Sequence, residues 1–361
     1  MYYKMSFLSK NSLLIGENIL KKIVLILLIG FVVLLSCDKR ETLYLFNWTY
    51  YTPSEVIKLF EQEYNVKVKY DEFASNEEMF AKLRANRRSS YDIVVPSADY
   101  VEIMIQNNML QELDHSMLPN LRYIYPNLIE ILIDPEMRFA VPYYYGVTGI
   151  AVNTQRVPEF ERSWNIFARE DLRRRMTLLD DVRETMGAAL IYLGYSINTY
   201  CPNEIAEARD LINNVWKPNI LRFDAEANAK IFAQGDIDVV HVYPDALFDE
   251  LAGTPRLEHT VFFIPREGGV SWVDSMVILS TARNPTLAHK FINFIHRPDI
   301  YVMFLEAFRF PSTTNSGATE LMTHTPNYPA EYVENTELGR DVGEYLRYYN
   351  DAWFGSIRTG R

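Results

Sequence analysis

Cysteine is almost missing: two in 361 residues cannot build a disulfide scaffold or a zinc site made of cysteine alone. The six histidines (115, 241, 259, 289, 296 and 324) are scattered, and none forms H-E-x-x-H or an i, i+4 pair. His289 and His296 lie seven apart on one predicted helix and read as its solvated face. There is no G-x-S-x-G, no G-x-x-x-x-G-K-[ST] and no G-x-G-x-x-G, which removes the nucleophile elbow, the phosphate loop and the dinucleotide fingerprint. Neither a cofactor nor a metal is expected. A basic excess is also lacking: 47 acidic residues stand against 36 basic ones, a net charge of −11, so a nucleic-acid partner is not expected. An acidic chain allows a cationic ligand without proving one.

The longest apolar run, Ile23 to Leu35, has thirteen residues, where a membrane span needs about 20. Lys21-Lys22 before it and Leu34-Leu35-Ser36-Cys37 after it give the three parts of an export signal. The end resembles a lipobox, which implies cleavage before Cys37 and lipid attachment to it. An uncleaved N-terminal anchor is the alternative, and both export the protein. Residues 1–36 carry four Lys and one Glu, so cleavage leaves a chain three charges more acidic. Cys201 is then alone and reads as a small buried apolar residue.

What remains is rich in apolar residues (48 %) and in rings, with 24 Tyr, 20 Phe and 5 Trp. Length and composition fit a globular chain of two lobes. Leu43–Trp48, Val66–Tyr70, Asp92–Pro96, Met176–Leu179, Ile237–Val242 and Met276–Leu279 read as strands. Helices are predicted after Thr52-Pro53-Ser54-Glu55 and Ser75-Asn76-Glu77-Glu78, both resembling capping boxes, then after Asp181, at Pro244 and over Pro285–His296. Alternation of strand and helix implies βαβ units and mostly parallel sheets. The fold class is therefore α/β. In such sheets ligands sit beyond the carboxyl ends of the strands, here just after Phe46, Val95, Leu179, Val242 and Val270.

Those places hold Asn47-Trp48-Thr49-Tyr50-Tyr51, Ser97-Ala98-Asp99-Tyr100, Asp180-Asp181 with Glu184, Tyr243-Pro244-Asp245 and, after a Gly268-Gly269 turn, Ser271-Trp272-Val273-Asp274-Ser275. Rings alternate with acids. A cation over a ring gains about 0.5–2 kcal/mol, and a carboxylate directs charge-assisted hydrogen bonds to ammonium. Apolar walls suit methylene chains, so the matching ligand is a linear alkyl polyamine. Each residue also has an ordinary reading: Trp48 as core, Asp181 with Glu184 as a capping box, Asp274 as a turn residue, Tyr243 as packing. Asp181 and Glu184 as a hydrolytic acid/base pair lack a nearby nucleophile or oxyanion hole.

Leu43-Tyr44-Leu45-Phe46-Asn47-Trp48-Thr49, Ser75-Asn76-Glu77, Tyr91 to Ser97, Asp180-Asp181-Val182-Arg183-Glu184, Leu193 to Asn198, Pro265 to Gly269 and Trp272-Val273-Asp274-Ser275 together resemble bacterial spermidine/putrescine-binding proteins, the substrate-binding subunits of polyamine ABC importers. The resemblance implies a two-lobe periplasmic-binding-protein fold of type II with a ligand cleft between the lobes. It places residues 40–147 and 274–318 in the first lobe and 148–273 and 319–361 in the second. It implies ligand contacts at Trp48, Thr49, Tyr51 and Ser97, acids for amino groups at Asp181, Glu184 and Asp274, and a ring wall at Trp272. Four departures stand out: Tyr50 where an acid is usual, Asp99 and Tyr243 where aromatics (a Trp at the second) are usual, and Phe310 for a Tyr. Gly339-Arg340 stand where a Gln is expected, and Arg340 is expected to point away. The implied protein is no enzyme. It is a periplasmic lipoprotein that binds spermidine or putrescine and hands it to an ABC permease in the inner membrane. The alternatives are a binding protein for an amino acid, sugar or ferric ion, an exported hydrolase, and a polyamine sensor.

Overall fold

The computed structural model describes residues 40–49, 51–85 and 91–358. The expected export signal (1–36), Cys37 and Tyr50 lie outside the described residues. Among those described, no helix is long and apolar enough to cross a membrane, and no group of three or more His, Cys, Asp or Glu is placed to hold a metal.

Two sheets organise the chain. The first contains β1 (Thr42–Trp48), β2 (Lys67–Phe73), β3 (Ile93–Val94), β4 (Ala140–Val147), β10 (Gly269–Ile278) and β11 (Thr336–Leu338), in the order β11-β10-β3-β1-β2 with β4 also on β10. The second contains β5 (Gly149–Asn153), β6 (Met176–Leu178), β7 (Arg222–Phe223), β8 (Val239–Val242) and β9 (Thr260–Phe263), in the order β7-β6-β8-β5-β9. One apolar cluster runs from the first sheet (Leu43, Leu45, Ile93, Val141) onto one face of the second (Val240, Val242, Leu247). Another fills the second sheet's opposite face with Met176, Val239, Trp164 and Trp216. Covering both faces of the second sheet accounts for its unbroken apolar strands.

The sheets are mixed rather than mostly parallel. β1 pairs in parallel with β2 and β3, and β6 with β7 and β8. β10 is antiparallel to β3 and β4, and β5 is antiparallel to β8 and β9. The antiparallel strands are those that carry the chain between lobes. β4 ends at Val147 and β5 starts at Gly149, so one residue, Thr148, separates the two sheets. The return runs from β9 through Ile264–Gly268 into β10. Gly268 has φ 116°, a backbone region that residues with a Cβ rarely adopt. β2 is the outer strand of its sheet and puts Lys67, Lys69 and Asp71 on one face.

Several expectations are corrected. After the expected turn, where Gly268 N donates to the Pro265 carbonyl at 2.9 Å, Gly269–Ile278 form one long strand rather than a strand that starts at Met276; its register shifts between Asp274 and Ser275. The Asp92–Pro96 strand is only Ile93–Val94. No capping box forms at Thr52: Pro53 is the cap of helix Ser54–Tyr64, without a side-chain bond, because the Thr52 hydroxyl instead accepts from Asn47 Nδ2 at 3.0 Å. The second box holds, with Glu78 N donating to Ser75 Oγ at 3.2 Å and Ala74 N to Glu78 Oε2 at 3.1 Å. His289 and His296 do not face solvent. They are 3 % and 0 % exposed, because each ring finds backbone partners inside: Asp114 N donates to His289 Nε2, and the His296 nitrogens lie 2.8 and 2.9 Å from the carbonyls of Ile292 and Pro142.

Asp92 fixes the start of β3 to two other elements. Its fully buried carboxylate accepts from Tyr44 N at 2.9 Å and from Arg283 N and Asn284 N at 2.8 Å each. Unsatisfied buried donors cost about 1–3 kcal/mol each. Asp92→Ala is expected to destabilise the protein by about 3 kcal/mol or more. Urea unfolding measures it, and a loss below about 1 kcal/mol would show that water replaces the carboxylate freely.

Candidate functional site

Asp274 is the centre of the first lobe's contribution. It is 5 % exposed and lies within β10, opposite Tyr144 of β4. The Ser97 hydroxyl donates to its Oδ1 at 2.7 Å and the Tyr51 hydroxyl to its Oδ2 at 2.9 Å. Three separated pieces of sequence meet here. Tyr51 comes from the loop after β1, and Ser97 is the cap residue of helix Ala98–Gln106. Residues i and i+2 of a strand share a face, so Trp272 projects beside Asp274. The Trp272 ring lies over Gly146, its register partner, where a Cβ would collide with the indole. Glycine at 146 is what admits the ring.

Behind these groups stands an aromatic wall. Tyr144 leans on Trp272 with centroids 5.8 Å apart and stacks on Phe310 at 4.5 Å and 15°. The Tyr144 and Tyr328 hydroxyls are 2.9 Å apart. Tyr143 packs edge-on against Tyr51 at 5.3 Å and donates to the Tyr51 carbonyl at 3.0 Å. Phe310 is buried in the second layer of this wall, behind Tyr144.

The second lobe brings Asp181, Glu184 and Tyr243. Asp181 caps helix Val182–Tyr192: its Oδ1 accepts from Arg183 N at 2.8 Å and Glu184 N at 3.0 Å. Neither bond uses Oδ2, so capping leaves one oxygen to spare. Glu184 is 6 % exposed and its Oε2 accepts from Thr148 Oγ1 at 2.5 Å. Asp180 is set apart from them by its ion pair with Arg358. Tyr243 caps helix Pro244–Leu251 and is half-buried.

Electrostatics tie the two lobes together. Burial, then the charges of Glu184, Asp181, Asp245 and Asp274, hold the Tyr243 phenol neutral far above its ordinary range. One ring therefore feels acids from both lobes. Burial raises Asp274 to about 7, against the two hydroxyl donors that favour its charged form, with Asp99 and Asp245 adding repulsion. Burial and then Asp181 raise Glu184 to about 8. Burial also lifts Asp99 to about 6 and raises Asp181. The Arg183 charge opposes the rise at Asp99, Asp181 and Glu184, and its side chain is fixed by two further partners. Its Nη2 donates to Asn198 Oδ1 at 2.8 Å, and its guanidinium lies 4.7 Å over the Tyr349 ring. Arg340 is exposed, and its Nη2 lies 3.4 Å from the Ile131 carbonyl.

The structure thus brings Tyr51, Ser97 and Asp274 into direct contact, sets Asp99 where its charge acts on Asp274, and sets Asp181, Glu184 and Asp274 where their charges act on Tyr243. Trp48 and Thr49 both contact Phe73: the Trp48 ring at 4.6 Å, and the Thr49 hydroxyl on its carbonyl at 3.2 Å. Trp272 and Asp274 sit in mid-strand, not beyond a strand end as expected. Tyr143, Tyr144, Thr148 and Arg183 were not singled out as site residues by sequence reasoning. The Tyr143-Tyr144-Tyr145 run was a readable signal for the first two, while Thr148 carries none.

The model of one known family matches residues 55–330; it is described as bacterial extracellular solute-binding protein. The chain belongs to that family. This solute-binding protein is 35 % identical over 332 residues to the spermidine/putrescine-binding periplasmic protein of Escherichia coli (strain K12), covering 90 % of its own length and 93 % of the relative's. It is 34 % identical over 267 residues to a putrescine/cadaverine-binding protein of Pseudomonas aeruginosa, 71 % and 74 % of the two chains. Among solved structures it is similar to the TpPotD lipoprotein of Treponema pallidum, with TM-score 0.84, 46 % identity and coverage of 88 % and 99 %. The fold is the two-lobe periplasmic-binding-protein fold, and the relatives are binding proteins of transport systems, not enzymes.

Carboxyls raised in the folded state bind more protons there than in the unfolded chain. Their contribution to stability is complete below the unfolded pKa near 4 and is lost as pH rises through about 7 for Asp274 and about 8 for Glu184. The ligand-free protein is expected to melt at progressively lower temperature from pH 5.5 to 8.5, and Asp274→Asn or Glu184→Gln to flatten that slope. A slope that both variants leave unchanged would show that these acids are solvated.

Proposed function

We propose that this solute-binding protein captures a linear polyamine, spermidine or putrescine, in the cleft between its lobes and delivers it to an ABC permease. The observation that carries the reading is that the charges of Glu184, Asp181 and Asp274 all act on the Tyr243 phenol, while Asp274 itself is held only by the hydroxyls of Ser97 and Tyr51. Buried acids without a fixed counter-cation demand one from outside. The names of the relatives support the same choice. A neutral sugar would leave the acids unpaired.

In this reading Asp274 holds one ammonium group, with Tyr51 and Ser97 fixing its two oxygens. Glu184 and the spare oxygen of Asp181 hold another. Trp272 and Tyr243 wall the methylene chain, Tyr144 and Phe310 support Trp272, and Trp48 and Thr49 line the entrance. Asp99 adds a charge beside Asp274 and biases the choice between two-amine and three-amine ligands. The lobes divide near 147/148, 273/274 and 318/319. Cleavage before Cys37 and its lipidation tether the protein to the membrane on the periplasmic side.

Calorimetric titration with putrescine and spermidine tests the proposal directly; absence of binding to either ends it. Asp274→Asn is expected to weaken binding tenfold or more, since removing one partner of a buried charge pair costs about 2 kcal/mol or more. Trp272→Ala is expected to cost about 1–3 kcal/mol through lost cation–π and alkyl contact. Unchanged affinity in either variant would remove that residue from the site.

A further inference from the structure

We propose that Thr148, the single residue between the two sheets, is a positioning residue that ties the cleft acid Glu184 to the crossing between the lobes. This rests on the polyamine reading of the cleft and adds a residue to it.

Thr148 belongs to neither β4 nor β5, and it is fully buried. Its backbone N–H donates to the Val270 carbonyl on β10 at 3.1 Å, so it joins both crossing strands. The space around it is fixed from each side. A Cβ at Gly149 would strike the Phe262 ring and the Phe263 carbonyl, and one at Gly269 would meet the Thr148 carbonyl at 3.4 Å. A side chain at such a place has little freedom. Its hydroxyl is spent on one acceptor, Glu184 Oε2.

Glu184 sits at the third position of helix Val182–Tyr192, where its own backbone N–H is taken by Asp181. The groups that face its carboxyl are Thr148, Asp181, Arg183 and the Tyr243 ring. Asp181 opposes its ionisation; Arg183 and the Thr148 hydroxyl favour it. Arg183 is anchored to Asn198 and Tyr349 on its own lobe. Thr148 is the partner that stands on the crossing segment itself. A change of lobe angle that shortens or lengthens this bond therefore changes how readily Glu184 carries the charge an ammonium needs. Conversely, a cation on Glu184 favours the lobe angle at which the bond is made. A merely structural Thr would need only some acceptor for its hydroxyl, and Glu184 could stay protonated.

The test measures putrescine and spermidine affinity from pH 6 to pH 9 for the wild type, Thr148→Val and Thr148→Ser. Val removes the hydroxyl at nearly constant shape, while Ser keeps it. Thr148→Val is expected to lose about tenfold at pH 7, the effect of a one-unit rise in the pKa of an acid that binds only when ionised, and to narrow the deficit toward pH 9. Thr148→Ser should restore the wild-type profile. In a Glu184→Gln background the Val substitution should leave the pH profile where it is. A Thr148→Val profile that coincides with the wild type overturns the positioning role alone. A deficit equal at every pH, or one that persists in Glu184→Gln, also overturns it and marks Thr148 as packing. Failure of the wild type to bind either amine removes the polyamine reading, and this inference falls with it. If Thr148→Val does not fold, the comparison of Thr148→Ser with Thr148→Ala decides on the same terms.

Discussion

The cleft depends on negative charge held out of water with no permanent partner. Asp274, Glu184 and Asp181 each carry ordinary hydrogen bonds from hydroxyls or amides, and these offset part of the desolvation. None of these bonds neutralises the charge. In the proposed reading a proton takes that task in the empty site and a bound cation takes it in the loaded one. In that reading, affinity for a cation and the cost of leaving the acids without one are the same physical quantity, and the site would prefer dications over neutral solutes.

The architecture serves this charge distribution. A helix N-terminus stabilises nearby carboxylate, and both Asp181 and Asp99 stand in the first turn of a helix. β10 runs from the crossing region into the first sheet and delivers Trp272 and Asp274 to one face. The register shift just after Asp274 re-aims the strand. The aromatic layers behind the cleft exclude water, which lowers the local dielectric and strengthens every charged contact in front of them.

Much of the fold was legible because its signals are local. Helix Val182–Tyr192 begins where Asp181 and Glu184 say it should, and helix Pro244–Leu251 where Pro244 says it should. The acids and rings were legible as types at strand ends. What the sequence hid was pairing. Nothing in Trp272-Val273-Asp274 distinguishes a loop beyond a parallel strand from the middle of an antiparallel crossing strand, since both are apolar with alternate exceptions. Thr52 looked like a cap because the competing donor, Asn47, is brought to it only by the fold. The histidines at 289 and 296 looked solvated because their partners are backbone N–H and carbonyl groups, which have no letter in a sequence. Thr148 was invisible for the same reason: its importance is its position between two sheets.

The outer strand β2 has a further consequence. An outer strand is a natural template for another extended chain, and sheet proteins blunt such edges with charge or cover them; here the Val68 N–H of β2 already donates to Glu61 Oε1 at 2.8 Å. Lys67, Lys69 and Asp71 supply the charge. Many copies crowded together in a small compartment would therefore resist zipping into fibrils along this side, and the protein can be kept at high abundance without clogging the space in which it collects its solute.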